Sequence, residues 1–207
     1  PRKGLASSTT GSLMNMRQLV KRTIKNIFLL FAFPLYLLYL FLSMTGNPDS
    51  IFMSFSQSLS LVPGKPGIYL RAAFYRLTCP DTSDEISVGF LTIFSHRDTT
   101  IKKGVYIGPQ CNIGKCEIGE KTLIGSGVHI LSGTKQHFFE DLNTSIQDQG
   151  GGFEKITIGG DTWIGNASVV GYSIGPQCIV GAGSIVTKEI EMLSIAVGNP
   201  CKIIKKR

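Results

Sequence analysis

An aliphatic residue followed by glycine recurs at Ile107-Gly108, Ile113-Gly114, Ile118-Gly119, Ile124-Gly125, Ile158-Gly159, Ile164-Gly165, Ile174-Gly175 and Val180-Gly181. The intervals are mostly six residues, with one of five between Ile113 and Ile118. Repetition at this period marks a parallel β-helix. Each short strand sends one Ile, Val or Leu into a prism-shaped core. Small residues such as Cys111, Val128, Cys178 and Ser184 are expected at a second inward position, and glycine at the corners where the backbone turns. Coils stacked at strand spacing pair their amides with the next coil. An α-helical reading fails because glycine and β-branched residues are too dense. A strand meander would alternate without the Ile-Gly spacing.

The repeat is expected from about Val88 to Val186, after which TKEIEMLSIAVGNPCKIIKKR leaves the prism. It breaks between Ile130 and Ile156, where residues 131–155 form an inserted loop. A long insertion in a compact fold is commonly functional, so this loop marks the candidate site.

Upstream, Ile27 to Met44 reads IFLLFAFPLYLLYLFLSM without a charge, behind the basic stretch RQLVKRTIKN. That run is long enough to span a hydrocarbon core of ~30 Å as a helix. No small-residue cleavage site follows, which argues against a signal peptide; a buried core helix is the plain alternative. Pro34 favours a bend mid-run, and a weaker apolar stretch follows at Ile51–Val62. The expected organisation is a non-native remnant at residues 1–13, with Met14 or Met16 as the native start, then a membrane-associated helical segment at 14–62. A connecting segment at 63–87 and the β-helix at 88–207 complete the chain. The net charge is +7, with Arg2, Lys3, Arg17, Lys21, Arg22 and Lys25 all preceding the first acid, Asp49, and Lys202, Lys205, Lys206 and Arg207 at the end. Such ends suit anionic lipid or nucleotide phosphate; no nucleic-acid-binding motif accompanies them. The five cysteines have no ligand or redox spacing and fit a reducing compartment.

The stretches VYIGPQCNIGKCEIG, LIGSGVHILSGTKQHFFED, ITIGGDTWIGNASVV, IVGAGSIVTKEI and SIAVGNPCKIIK resemble the hexapeptide-repeat acetyltransferases, especially sugar O-acetyltransferases of polysaccharide gene clusters. The upstream PGKPGIYLRAAFYRLTC resembles a lead-in of membrane-associated members. The resemblance implies a mainly β protein: a left-handed parallel β-helix with an N-terminal α-helical membrane-associated segment and a short C-terminal extension. It also implies a homotrimer with sites between neighbouring prisms, acetyl-CoA as donor and a saccharide acceptor, lipid-linked or from polysaccharide biosynthesis. His137 matches the loop histidine that serves as general base, with Glu140 or Asp141 as candidates to orient its ring. An imidazole near neutrality suits removal of a proton from a sugar hydroxyl. Donor contacts carry over to Asn166, Ala182, Thr187, Lys188, Lys202 and Lys205. His129 and His96 are candidates for the acceptor or groove.

A simple crossing of the membrane would put the β-helix outside, away from acetyl-CoA. The expectation is therefore a re-entrant or in-plane helix pair on the cytoplasmic face of the cell membrane, bound to lipid. No metal is expected: a γ-type carbonic anhydrase needs three zinc-binding histidines, and His129 and His137 are too far apart for its close pair. Amino-sugar N-acetylation and a non-catalytic membrane scaffold stay open as alternatives.

Overall fold

The computed structural model describes residues 5–207, with side chains from residue 16 onward. Arg2 and Lys3 lie outside the described residues. Three helices come first: α1 (Leu5–Ser43), α2 (Pro48–Ser60) and α3 (Gly64–Thr78). The prism follows, three strands to a coil. The first coil holds β1 (Ser87–Val88), β2 (Ile93–Phe94) and β3 (Thr100–Ile101), and the second β4 (Tyr106–Ile107), β5 (Asn112–Ile113) and β6 (Cys116–Ile118). The third holds β7 (Leu123–Ile124), β8 (His129–Ile130) and, after the loop, β9 (Ile156–Ile158). Above lie β10 (Trp163–Ile164) with β11 (Val169–Val170), β12 (Ile179–Val180) with β13 (Ile185–Val186), then β14 (Ser194–Val197) and β15 (Lys202–Lys206).

Parallel pairing stacks these into three faces. The first runs β1-β4-β7-β10-β12-β14, the second β2-β5-β8-β11-β13, and the third β3-β6-β9, extended by bridges from Ile158 to Ile174 to Ile190. Register puts Val88, Ile107, Ile124, Ile164, Val180 and Ala196 in one buried column. Phe94, Ile113, Ile130, Val170 and Val186 form the second, and Ile101, Ile118, Ile158, Ile174 and Ile190 the third.

Three features depart from the expected pattern. The Ile-Gly glycines open the corners but none takes left-handed backbone. That falls on later corner residues, among them Leu91, Gln110, Lys121, Gly127, Asp161, Ala167, Gln177, Gly183 and Leu193, with φ between 52° and 68°. The Ile-Gly glycines are required by close approach between coils: a Cβ on Gly165 would lie 2.4 Å from the Ala182 nitrogen, and one on Gly125 2.2 Å from Asn166 Oδ1. The second inward positions also do more than fill space. Thr92 Oγ1 donates to the Gly108 carbonyl (2.6 Å) and accepts from Cys111 N (3.1 Å), and Thr162 repeats the device with Gly175 and Cys178. Their hydroxyls satisfy backbone groups that three-residue corners leave open. Finally, the prism does not stop at Val186. Ile190, Ser194 and Ala196 are buried in a further turn, and only β15, antiparallel to β14 and exposed throughout, leaves it.

The helices form a layer over the first coil. Residues 63–87, expected as a connection, contain α3, and α1 runs unbroken through Pro34. The second apolar stretch packs against the prism. As α2 it turns Phe52, Ser56, Leu59 and Ser60 inward, and Ser56 Oγ accepts from Phe94 N at 2.8 Å. Tyr75 of α3 packs on Phe94 with ring centroids 4.5 Å apart. Between the layers lies Arg71, fully buried. Its Nε donates to Val88 O (3.0 Å) and its Nη1 to Leu59 O (2.9 Å) and Val62 O (2.8 Å). The cation thus sits at the C-terminal end of α2, the favourable pole for positive charge, and joins it to β1.

Arg71→Met is expected to destabilise the protein by about 3 kcal/mol or more, because hydrogen bonds from a charged group each contribute roughly 1.5–3 kcal/mol. Gly165→Ala should cost about 1–3 kcal/mol through overpacking. Denaturant unfolding of both variants checks the two values; wild-type midpoints would refute the roles given to these residues.

Candidate active site

The outer side of the second face carries Ile93, Asn112, His129, Val169 and Ile185 in register. Strand alternation explains the placement: each precedes an inward residue and so points away from the core. His129 is exposed, as its position before Ile130 predicts.

The two edges of this face hold most of the expected donor residues. At the edge shared with the first face, Asn166 Oδ1 accepts from Ser126 N (3.0 Å), and Gly183 N, next to Ala182, donates to Asn166 O (2.8 Å). Cys201 N donates to Ile185 O (2.8 Å), which brings the start of β15, Lys202, to the top of the same face. Thr187 and Lys188 follow β13 at the opposite edge, above Gly171 and Tyr172, and both are exposed. Lys205 pairs with Ile195 on the first face and stands apart from the others.

The loop leaves the prism at that opposite edge. Its stem is closed by Glu154 N to Ser132 O (2.9 Å), Gly152 N to Lys135 O (2.8 Å) and Phe138 N to Gly150 O (3.0 Å). His137 belongs to this stem and is exposed. Neither proposed acid orients its ring. Glu140 Oε2 accepts from Phe139 N, while Asp141 takes Asn143 N and Thr144 Oγ1, hydrogen bonds that hold its carboxyl below the usual range.

Between the loop, the second face and the start of α2 lies a cleft of about 580 Å³. His96 and His129 line it together with Asn112, Asp49, Gln136 and Phe153; His137 does not. His96 Nδ1 is 2.9 Å from Ser95 Oγ and 3.4 Å from Ser132 Oγ, and its ring packs on Phe153 at 4.7 Å. Ser132 Oγ also accepts from Lys115 N (2.8 Å), which leaves its proton free for the imidazole. Burial depresses the His96 pKa; Asp49 and Asp98 pull it up and Lys115 pushes it further down. The ring is therefore neutral near pH 7. Asp49, Asn112 and Phe153 escaped the sequence reading: Asp49 lies in the helical segment, and nothing in the repeat distinguishes Asn112 from other outward positions.

Residues 98–134 match the model of the bacterial transferase hexapeptide, six repeats. Over that stretch the coils resemble transferase hexapeptides. In sequence, an acetyltransferase-named protein of Staphylococcus aureus (strain MRSA252) is 52% identical over 60 residues, 27% of this chain and 30% of that protein. The chain thus spans less than a third of that curated relative. In structure, a maltose O-acetyltransferase from Clostridium difficile 630 superposes with TM-score 0.66 at 22% identity, covering 78% of this chain and 89% of the other. A galactoside acetyltransferase in complex with coenzyme A gives TM-score 0.57 at 21% identity, covering 78% and 84%. In sequence and in fold the chain is similar to hexapeptide-repeat acetyltransferases.

The depressed His96 pKa fixes a pH dependence. The unfolded chain takes up this proton near the ordinary histidine pKa of about 6.5, the folded one only at lower pH. Stability is thus full above that value and declines as pH falls through the window below it. Melting temperatures between pH 8 and pH 5 should drop less in His96→Gln than in the unmodified protein; parallel curves would contradict this.

Proposed function

We propose that the protein is an acetyl-CoA-dependent O-acetyltransferase of a saccharide, built as a left-handed β-helix and active as a homotrimer. The observation that carries this reading is the convergence on one face. Asn166, Ala182 and Lys202 lie along one edge and Thr187 and Lys188 at the other, with the looped histidine and the acceptor-sized cleft at its lower end. A pantetheine arm can bond to the exposed corner backbone while lysine ammonium groups meet the phosphates as point charges. The galactoside acetyltransferase bound to coenzyme A supports the same donor on this fold.

In the reaction, His137 takes the proton of an acceptor hydroxyl as its oxygen attacks the thioester carbonyl. The C–S bond then breaks, CoA leaves as thiolate and the imidazolium returns the proton to it. No acyl-enzyme is required when both substrates are held together. His137 stands outside its own cleft, so in this reading it serves a groove that a neighbouring protomer completes. His96 supports a second reading: it is neutral, its Nδ1 is held by hydroxyls, and it already lines the cleft.

The acceptor is proposed to be lipid-linked or part of polysaccharide synthesis, because an apolar helix long enough to cross a membrane, Met16–Ser43, precedes the catalytic unit. Anchoring raises the local concentration of a lipid-borne substrate. The need for acetyl-CoA places the enzyme on the cytoplasmic face.

His137→Ala is expected to lower kcat by about 10²–10⁴ with KM nearly unchanged. The readout is mass spectrometry of candidate lipid-linked sugars incubated with acetyl-CoA. Unchanged turnover there, with the loss appearing in His96→Ala, would move the base to His96. Lys188→Ala and Lys202→Ala should raise KM for acetyl-CoA while kcat holds.

A further inference from the structure

Helix α1 is fastened to the capped end of the prism at two separate places. Arg22 Nη1 meets Asp84 Oδ2 at 2.6 Å, and Lys25 Nζ lies 3.8 Å from Asp84 Oδ1. Farther along, Tyr39 is buried edge-on against Phe52, Phe55 and Phe74, and its hydroxyl accepts from Arg97 Nη1 at 3.5 Å. Between the two, Phe28 stacks on Tyr69 of α3 at 5.4 Å and Ala32 is buried. From Arg22 to Tyr39 a helix covers about 26 Å. Asp84 lies shortly before β1 and Arg97 shortly after β2, so both anchors flank the first coil's strands. A helix held at both ends of that distance by one coil lies across the end of the prism, not along its axis.

The rest of its surface is the reverse of an ordinary surface helix. Every exposed residue from Ile27 to Leu42 is apolar, with Leu30 72%, Phe31 65% and Phe41 67% exposed. Contiguous apolar surface of this kind marks an interaction site. Its surroundings indicate the partner. Arg17 and Lys21 are exposed on the preceding turns, and a cleft of about 310 Å³ between α1, α3 and the first coils carries Lys21 and Lys65 beside Glu85, with Lys25 held inward by Asp84. Apolar side chains flanked by a cluster of ammonium groups match acyl chains beneath anionic headgroups.

We propose that α1 is an in-plane membrane helix, immersed at the headgroup–acyl boundary of an anionic phospholipid bilayer, with the prism standing end-on against that surface. This rests on the membrane reading above and deepens it: the helix neither crosses nor re-enters, and α2 contributes no second lipid-facing leg. The cleft wall formed by Asn47, Asp49 and Met53 then sits directly behind the lipid-facing layer, where the headgroup of a lipid-borne acceptor would be.

The test uses the full chain and vesicles of phosphatidylcholine with phosphatidylglycerol. Flotation with the vesicles is the first expected result. Leu30→Trp, Leu37→Trp and Phe41→Trp, made singly on one helical face, are then quenched with phospholipids brominated at defined acyl depths. The unmodified chain, whose Trp163 lies in β10 far from α1, supplies the blank. An in-plane helix gives the same depth at all three positions. A crossing helix separates Leu30→Trp from Phe41→Trp by about 16 Å, and a bend at Pro34, with Leu30 and Leu37 on either side of its apex, buries both deeper than Phe41→Trp. Either result overturns the in-plane placement while leaving the membrane reading intact. Failure of the unmodified chain to float overturns both, and an oligomer whose apolar face is closed would assign that face to a second copy. Independently of these variants, Lys21→Glu with Lys65→Glu should weaken binding to the anionic vesicles at least about tenfold. Wild-type affinity in that double variant would overturn the headgroup contact.

Discussion

The approach of one coil to the next is the constraint on which this structure depends. At Gly165 and Gly125 a neighbouring coil comes so near that a single methyl group has no room. That distance lets amides and carbonyls of successive coils pair, and it aligns the inward residues into three columns. It also decides what the outer surface looks like. Because every coil repeats the last, outward residues fall into straight columns, and chemistry scattered along the sequence is collected on one face. Asn112 and His129, distant in sequence, become neighbours on the second face because their strands pair in register.

A stack of coils has an exposed end, and the first coil here offers Val88 and Phe94 to whatever lies beneath. The helical layer solves this with an aromatic cluster and one cation. Among the described residues Arg71 has no acidic partner; burial lowers its pKa, and backbone carbonyls of α2, the following turn and β1 accept from its Nε and Nη1, while Nη2 stays without a partner. A hydrophobic residue there would strip the Val62 and Val88 carbonyls of the donor Arg71 gives them in a dry interface, so the charge serves the backbone of both layers. Tyr75 and Ser56 complete the seam with a 2.7 Å hydrogen bond between their hydroxyls.

The prism was legible in the sequence because its core repeats. Ile107, Ile124 and Ile164 announce themselves by spacing, and the loop announces itself by interrupting that spacing. The cause assigned to the glycines was wrong in an instructive way. A sequence shows that a side chain is forbidden but not whether a torsion angle or a neighbouring coil forbids it. The final turn through Ile190 and Ala196 was missed because its residues no longer carry the Ile-Gly pair. Helix α3 was missed because Gly64, Pro66 and Gly67 at its start read as a connection. Around the site, His129 was placed correctly by strand alternation. The cleft was not foreseeable, since Asp49 and His96 meet through the docking of a helix that no local pattern specifies.

The loop between β8 and β9 is joined to the prism only through its stem, where Ser132, Lys135 and Phe138 pair with Glu154, Gly152 and Gly150. Residues 139–149 beyond the stem contribute nothing to the three columns. Lengthening or replacing that tip would add only a slowly growing closure entropy and would leave every coil in register. The scaffold and the loop tip are in this sense separate inheritances. A lineage could exchange the tip while every coil stays as it is, so a new loop surface need not await a new fold.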